Sequence, residues 1–326
     1  MISKKWLLAL GVSGLLAFGV AACGDDDDDD GGGGDTATDL SGSIAIDGSS
    51  TVEPFAQAAA ELFNEENPDV EISVGASGTG GGFEKFCVGE TDISDASRPI
   101  DPKEEVPICE EEGIEYTEIQ VANDGIAVAT NPGLEISCLT TDQLAELWTD
   151  DKITNYSDLG EDADTGEPLP DAEISLYGPG TDSGTFDYFT DEINGEEGLS
   201  RSDYQPSEDD NQLVTGVAGD EAGLAYFGFS YYEQNADQLN LVSVDAGDGC
   251  VAPSSETIQS GEYAPLARPI FMYPSTAAIT DNPPVGPFMQ FVVDNYDTIA
   301  EAALIVPMDD TQAGEAQSAT EGATGT

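Results

Sequence analysis

From residue 42 onward, short apolar strands alternate with amphipathic helices. Residues 42–46 and 70–74 have the alternation of strands, and the segment between them has apolar residues at i, i+4, i+7 and i+8. This spacing is typical of one buried helix face. The residues on that face are Phe55, Ala59, Leu62 and Phe63. Pro54 falls in the first helical turn, where its missing N–H costs nothing.

The alternation continues to residue 305 and predicts an α/β architecture. Further strands are predicted at residues 125–130, 174–177 and 224–227. Further helices are predicted after the glycine-rich turn at residues 76–82, after Thr140 or Thr141, from about Thr185, and as one closing amphipathic helix over residues 286–305.

The first 22 residues have the pattern of a secretory signal. Lys4 and Lys5 precede an apolar run over residues 6–20, which is shorter than the roughly 20 residues that a membrane span needs. The small residues before Cys23 resemble a bacterial lipobox, which predicts cleavage after residue 22 and lipidation of the Cys23 sulfur. The alternative is an ordinary cleaved signal with an incidental cysteine.

Residues 23–41 are predicted to form the lipidated cysteine and a disordered tether. Its aspartate run (25–30) and glycine run (31–34) cannot bury enough apolar surface to fold. The rest of the chain is large for a single core and suits two lobes. We expect lobe 1 at residues 42–120 plus 246–326, and lobe 2 at residues 121–245.

Acidic residues dominate the composition, and the formal net charge is −58. This charge argues against a nucleic-acid partner, because binding to a phosphate backbone needs lysine and arginine. Histidine is absent from the sequence, which removes the usual general base and the Ser-His-Asp triad. We expect no enzyme activity, no cofactor and no metal, and the acidic surface suggests a salt-rich habitat. Beyond the leader the basic residues are Lys85, Arg98, Lys103, Lys152, Arg201 and Arg268.

Four cysteines follow Cys23, an even number that points to two disulfides in an exported domain. Three pairings are possible. We favour Cys87–Cys109 together with Cys138–Cys250, because the first bridge then stays within one lobe.

Three turns of serine, threonine and glycine each lie between a strand and a helix. They are residues 48–51 (GSST), 77–81 (SGTGG) and 181–185 (TDSGT). Helix N-termini offer unpaired N–H groups and partial positive charge, glycine permits close approach, and hydroxyls add donors. Together the turns predict a site for a tetrahedral oxyanion. Taken one at a time, each hydroxyl residue is more often a simple N-cap.

A fourth segment, residues 91–100 (TDISDASRPI), adds positive charge. The planar fork of Arg98 suits two oxygens of a phosphate, and the alternative for Arg98 is a surface salt bridge. Asp92 or Asp95 could accept a hydrogen bond from a protonated oxyanion. Such an acceptor would distinguish phosphate from sulfate.

Taken in chain order, the three turns and the segment 91–100 resemble the corresponding segments of the substrate-binding proteins of phosphate ABC transporters, the PstS family. The likeness extends from residue 42 to about residue 308. The resemblance implies a type II periplasmic-binding-protein fold, in which two lobes, each a mixed sheet flanked by helices, close on one phosphate. The residues that carry it lie at 47–54 (DGSSTVEP), 77–82, 91–100, 123–128 (NDGIAV), 178–185, 223–229 (GLAYFGF) and 263–270 (YAPLARPI).

The resemblance also indicates which residues bind phosphate. Two positions depart from the family pattern: Pro179 stands where members have an arginine, and Ser97 stands where members have an aspartate. Arg98 would replace the missing guanidinium, and the proton-accepting carboxyl group would be Asp92, Asp95 or Asp182. The phosphate-binding residues expected are Ser50, Thr51, Val52, Ser77, Thr79, Gly80, Asp95, Ser97, Arg98, Ser183, Gly184 and Thr185.

We therefore expect an extracytoplasmic lipoprotein that binds inorganic phosphate and passes it to the permease subunits of an ABC importer. It would be a monomer that touches the membrane only through its lipid. Three alternatives remain open: binding of another tetrahedral oxyanion (sulfate, molybdate or tungstate), a phosphatase-like hydrolase, and a phosphate sensor or adhesin without transport.

Overall fold

The computed structural model describes residues 40–181 and 183–325. The predicted signal, Cys23, the tether up to residue 39 and Asp182 lie outside the described residues. In the part of the chain that is described, no helix combines the length and the apolar character needed to cross a bilayer.

Strands and helices alternate as the sequence pattern predicts. The strands are β1 (Gly42–Gly48), β2 (Val70–Gly75), β3 (Ile93–Ala96), β4 (Ile119–Thr130), β5 (Cys138–Thr140), β6 (Ser175–Pro179), β7 (Gln205–Ser207), β8 (Gly223–Gly228), β9 (Asn240–Asp245), β10 (Cys250–Val251) and β11 (Ala267–Pro274). The helices are α1 (Glu53–Glu66), α2 (Thr79–Phe86), α3 (Val106–Glu112), α4 (Thr141–Thr149), α5 (Gly184–Glu192), α6 (Asp210–Gly219), α7 (Phe229–Gln234), α8 (Ser255–Gln259), α9 (Thr276–Asp281), α10 (Val285–Asp294), α11 (Tyr296–Ala303) and α12 (Asp310–Thr324).

Two lobes are joined by the long strand β4. Its first part pairs with β11, in the order β2-β1-β3-β11-β4, and its second part pairs with β8 and β9. The parallel strands β1, β2 and β3 and the antiparallel strand β11 make the first sheet mixed. We call the part built on β1–β3 and α1 lobe 1, and the part built on β5–β9 lobe 2.

Each lobe has its own hydrophobic core. In lobe 1, Phe55 and Phe63 of α1 pack against Phe288 of α10, with the Phe63 and Phe288 rings edge to face. In lobe 2, Phe189 stacks on Tyr226 with ring centroids 3.8 Å apart. Separate cores allow the lobes to move as units about β4.

One predicted element is wrong. The predicted helix over residues 286–305 is two helices, α10 and α11, separated at Asn295. Asn295 has φ −123° and ψ 20°, outside the helical region, and its side-chain amide donates to the Phe291 carbonyl. This short-range bond competes with helix continuation and caps α10.

Both predicted disulfides, Cys87–Cys109 and Cys138–Cys250, are formed. The second one bears on the lobe borders, which remain a prediction. Cys250 lies on β10, which pairs with β9 of lobe 2, and Ile258, Tyr263 and Leu266 are buried in the core of lobe 2. This packing supports moving the second border from residue 245 to about residue 266.

Candidate anion-binding site

Three helices begin at the predicted turns. We call residues 48–52 turn 1, residues 77–81 turn 2 and residues 181–185 turn 3; they precede or open α1, α2 and α5. The starts of α1 and α2 have no side-chain cap, whereas the Ser183 hydroxyl oxygen caps α5 by accepting from the Thr185 amide. The simple N-cap interpretation therefore holds for turn 3 and not for the other two.

Close packing at the end of β1 fixes the relative positions of turns 1 and 2. A Cβ added to Gly82 would lie 2.5 Å from the Gly48 Cα, so α2 is seated directly on the end of β1. The Asp47 carboxylate accepts from the amide and the hydroxyl of Ser77, and it pairs with the Lys85 ammonium at 2.5 Å. The Lys85 ammonium and these hydrogen bonds hold the pKa of Asp47 below its usual value despite partial burial.

A cleft of about 580 Å³ lies between the lobes. A second pocket of about 350 Å³ lies on the other side of the contact between turns 1 and 3. Eight of the predicted binding residues line the larger cleft: Ser50, Thr51, Ser77, Thr79, Gly80, Ser97, Arg98 and Gly184. Ser183 and Thr185 line the smaller pocket, and Ser50, Thr51 and Gly184 line both.

Turns 1 and 3 touch across the lobe interface. A Cβ added to Gly184 would lie 2.5 Å from the Thr51 hydroxyl oxygen, 2.6 Å from the Thr51 nitrogen and 2.7 Å from the Ser50 hydroxyl oxygen. Real Cβ atoms do not approach other atoms so closely, so only glycine fits at this position. The helix starts of α1 and α5 therefore meet at one point.

Several predicted residues have other contacts. Val52 is fully buried and its amide donates to the Ser49 carbonyl. Asp95 is also fully buried and does not line either pocket. Because the Ser77 hydroxyl donates to Asp47, its proton is not directed at the cleft. Thr79 and Ser97 lie side by side, with their hydroxyl oxygens 3.1 Å apart.

Arg98 lines the cleft but is held by a bidentate ion pair. Its Nη1 and Nη2 donate to the Glu105 carboxylate at 2.9 Å and 2.7 Å. The hydrogen bonds that Arg98 donates to Glu105 raise the pKa of Arg98. The side chain of Glu105 is largely buried, whereas the Arg98 side chain is 46% exposed. The salt-bridge alternative for Arg98 is thus the arrangement in the structure.

Sequence reasoning missed Arg268, which lies where turns 1 and 3 meet. Its Nη2 donates to the Thr51 hydroxyl oxygen at 2.8 Å, and its Nε donates to Asp124 Oδ2 at 3.3 Å. The guanidinium carbon also lies 3.5 Å from the ring centroid of Tyr188, a cation–π arrangement. The available signals were the scarcity of basic residues and the position of Arg268 in the segment YAPLARPI.

Two carboxyl groups near this point have raised pKa values. Burial raises the pKa of Asp124, and Arg268 opposes the rise. In the second pocket, burial and then the neighbouring Asp209 raise the pKa of Asp210 to about 6. Asp92, a predicted proton acceptor, instead accepts from the Ala45 amide and the Asn282 side chain in lobe 1.

The arrangement provides many hydrogen-bond donors and two ion-paired guanidinium groups, those of Arg98 and Arg268, around a small space. No cluster of three or more carboxylate, cysteine or histidine side chains suited to a metal ion occurs among residues 40–181 and 183–325. The chemistry that these groups support is the binding of a small anion by neutral dipoles.

Comparison with known proteins identifies the family. A family model for the PBP superfamily domain matches residues 33–295. Protein SphX of Synechocystis sp. is 41% identical over 298 residues, which cover 90% of this chain and 83% of that protein. The phosphate-binding protein PstS of Staphylococcus epidermidis is 37% identical over 306 residues, which cover 92% of this chain and 88% of that protein. This chain belongs to the PstS family.

Solved structures agree with the PstS assignment. A possible phosphate binding protein from Planctomyces limnophilus has a TM-score of 0.79 at 40% identity, covering 87% of this chain and 99% of that one. A Clostridium perfringens protein solved with bound phosphate has a TM-score of 0.56 at 26% identity, covering 82% and 100%. The PstS family consists of substrate-binding components of transporters, and the fold is the two-lobed periplasmic-binding fold.

Proposed function

We propose that this protein binds inorganic phosphate outside the cytoplasm and delivers it to the permease subunits of an ABC importer. The observation that carries the proposal is the convergence of three helix starts on one interlobe cleft, two of them without side-chain caps. The names of the PstS relatives, and the relative solved with phosphate, support this choice of anion.

In this proposal the phosphate binds at the junction of turns 1 and 3. Ser50, Thr51 and Gly184 line both pockets there, and Arg268 already donates to Thr51. Thr79 and Gly80 of turn 2 line the larger cleft from lobe 1, where turn 2 packs beside turn 1. Arg268, and not Arg98, would supply the guanidinium that binds the phosphate oxygens, because the guanidinium of Arg98 is already bound by Glu105.

The transport cycle makes and breaks no covalent bond. Phosphate first meets the donors of one lobe, and closure about β4 then adds the donors of the other lobe. Closure removes water from around the anion, which strengthens each hydrogen bond in the low-dielectric cleft. Opening at the permease reverses these steps and releases the phosphate.

A lipid on Cys23 would anchor the protein to the outer face of the membrane in this proposal. The sequence before Cys23 supports it, and two disulfides fit an extracytoplasmic compartment. Cells fed a labelled fatty acid should incorporate the label into the wild type and not into Cys23→Ala. A wild type that carries no label would contradict the anchor without affecting the binding proposal.

A calorimetric titration of the fragment from residue 40 onward with phosphate tests the binding proposal. We expect saturable binding of one phosphate per chain that a large excess of sulfate or molybdate does not displace. Displacement by either competitor at comparable concentration would assign the site to that oxyanion. Hydrolysis of a phosphate monoester would indicate an enzyme instead.

A further inference from the structure

Turn 1 rests on the backbone of Asp95, a residue of the adjacent strand β3. The Ser49 amide donates to the Asp95 carbonyl at 3.0 Å, and a Cβ added to Gly48 would lie 2.0 Å from the same oxygen. In the sheet, Asp95 pairs with Gly48 of β1 and with Met272 of β11. A change at Asp95 is therefore transmitted to the start of α1.

The Asp95 carboxyl group is buried without a hydrogen-bond partner. The residue is 0% exposed, and neither Oδ1 nor Oδ2 has a donor or acceptor within reach among the described residues. Because side chains alternate along a strand, Asp95 shares the face of Ile93 and Met272, which belongs to the apolar core of lobe 1. A buried carboxylate with no partner is far more costly than a buried neutral acid.

An ionised Asp95 would also oppose anion binding at turn 1. The N-terminus of α1 carries a partial positive charge of about half an elementary charge. A carboxylate beneath that turn and a phosphate on its cleft side would compete for the same partial charge and repel each other in a low dielectric. An ionised Asp95 would therefore weaken phosphate binding at turn 1.

We propose that Asp95 is a neutral carboxylic acid at neutral pH and that phosphate binding at turn 1 requires this neutral state. The inference rests on the proposed function. Asp95 is a positioning residue in this view, since it acts through turn 1 and does not touch the anion.

The surroundings of Asp95 favour the neutral form. Burial first, and then the charges of Asp47 at the end of β1 and Glu53 in the first turn of α1, raise the pKa of Asp95 well above its usual value. Lys85 of α2 is engaged by Asp47, and β11 presents the uncharged Met272. Both charged groups that act on Asp95 are therefore acidic.

Infrared spectroscopy of the protein without ligand tests the protonation state directly. At about pH 7 the wild type should show the C=O stretching band of a protonated carboxyl group, and Asp95→Asn should lose it. Asp92→Asn is the matched control, because Asp92 lies three positions earlier and has hydrogen-bond partners. The control should keep the band, as should the wild type saturated with phosphate.

Phosphate titrations of the wild type and Asp95→Asn over a pH series test the link to binding. Both proteins meet the same mixture of phosphate species at each pH, so the ratio of their affinities isolates the carboxyl group. The two affinities should agree within about threefold near pH 7, a difference of less than about 1 kcal/mol. Wherever alkaline pH removes the infrared band, the wild type should bind at least about tenfold more weakly than Asp95→Asn.

Three results would overturn the inference: no Asp95-dependent band at neutral pH, a tenfold loss of affinity in Asp95→Asn, or loss of the band with an unchanged affinity ratio. A wild type that binds no phosphate would instead refute the proposed function, and the infrared result would still report the state of Asp95.

Discussion

Arg98 and Arg268 both reach the cleft, and their contacts separate their roles. Arg98 is saturated by Glu105, whose carboxylate also accepts from the Asp101 amide. Arg268 instead donates to Thr51 of lobe 1 and to Asp124 of β4, and its guanidinium carbon lies 3.5 Å from the ring centroid of Tyr188 in lobe 2. Because the Arg268 guanidinium contacts Thr51 of turn 1, it is better placed than that of Arg98 to bind an anion at this turn.

Arg268→Ala should weaken phosphate binding by at least about tenfold, because charge-assisted hydrogen bonds to charged groups contribute about 1.5–3 kcal/mol. Arg268→Lys should recover only part of the loss, since lysine lacks the planar fork. Calorimetric titration gives the three affinities.

Arg98→Ala is the matched control for this prediction. It should change the phosphate affinity by less than about threefold, although it should lower the unfolding temperature because Glu105 loses its partner. Equal losses of affinity in Arg98→Ala and Arg268→Ala would contradict the assignment to Arg268.

The raised pKa of Asp210 predicts how the free energy of unfolding depends on pH. Its pKa rises from 3.8 to about 6 in the folded protein, so the folded state binds the proton more tightly than the unfolded state. The favourable contribution of the protonated Asp210 carboxyl group to the free energy of unfolding is present below about pH 4 and is lost as the pH rises through about 6. Asp210→Asn should therefore raise the free energy of unfolding at pH 7 by on the order of 1–3 kcal/mol.

Denaturant unfolding of the wild type and Asp210→Asn at a series of pH values measures this difference. The gain should shrink towards zero below about pH 4, where the aspartate is protonated in both states. A gain that is independent of pH would mean that Asp210 titrates normally.

At the scale of elements, the site depends on how the starts of α1 and α5 meet. Gly184 contacts the backbone nitrogen of Thr51, which cannot move away as a flexible side chain could. The contact needs a residue without Cβ on one side, and this geometric requirement explains a glycine between Ser183 and Thr185.

Gly184→Ala should prevent full closure and weaken phosphate binding by at least about tenfold, a loss of about 1.4 kcal/mol or more. The fold should survive, because the position lies at a helix start between two separate cores. Gly219→Ala is a control in the same lobe, since an added Cβ there meets no atom within 4 Å. Wild-type affinity in Gly184→Ala would show that closure does not bring these turns together.

For the whole molecule, charge is the dominant feature. The formal net charge is −58, and the basic side chains of Lys85, Arg98, Lys152, Arg201 and Arg268 already form ion pairs in the described part of the chain. Little positive charge remains to offset the repulsion among surface carboxylates. Such a field also slows the approach of an anion.

Stability and phosphate affinity should therefore both increase as salt rises from very low levels. The screening length falls from about 30 Å at 0.01 M to about 8 Å at 0.15 M salt, which removes most of the long-range repulsion. Thermal unfolding and phosphate calorimetry in a sodium chloride series measure the two effects. Full stability and unchanged affinity in dilute buffer would contradict a role for this charge.

The sequence by itself determined the local features. Period-2 and period-3.6 patterns located the strands β1, β2, β4, β6 and β8 and the helices α1, α2, α4 and α5. The glycine-hydroxyl turns marked the starts of α1, α2 and α5, because these signals depend only on near neighbours. The same reasoning failed at Asn295, where one side-chain bond to the Phe291 carbonyl interrupts the helix.

Only the tertiary structure decided which long-range partners each group has. It paired Arg98 with Glu105, placed Arg268 against Thr51 at a separation of 217 residues, and buried Asp95 beneath turn 1. The physical reason is that the electrostatic role of a side chain depends on burial and on the charges within a few ångströms. Those neighbours come from strands brought together by the fold, and no local pattern records them.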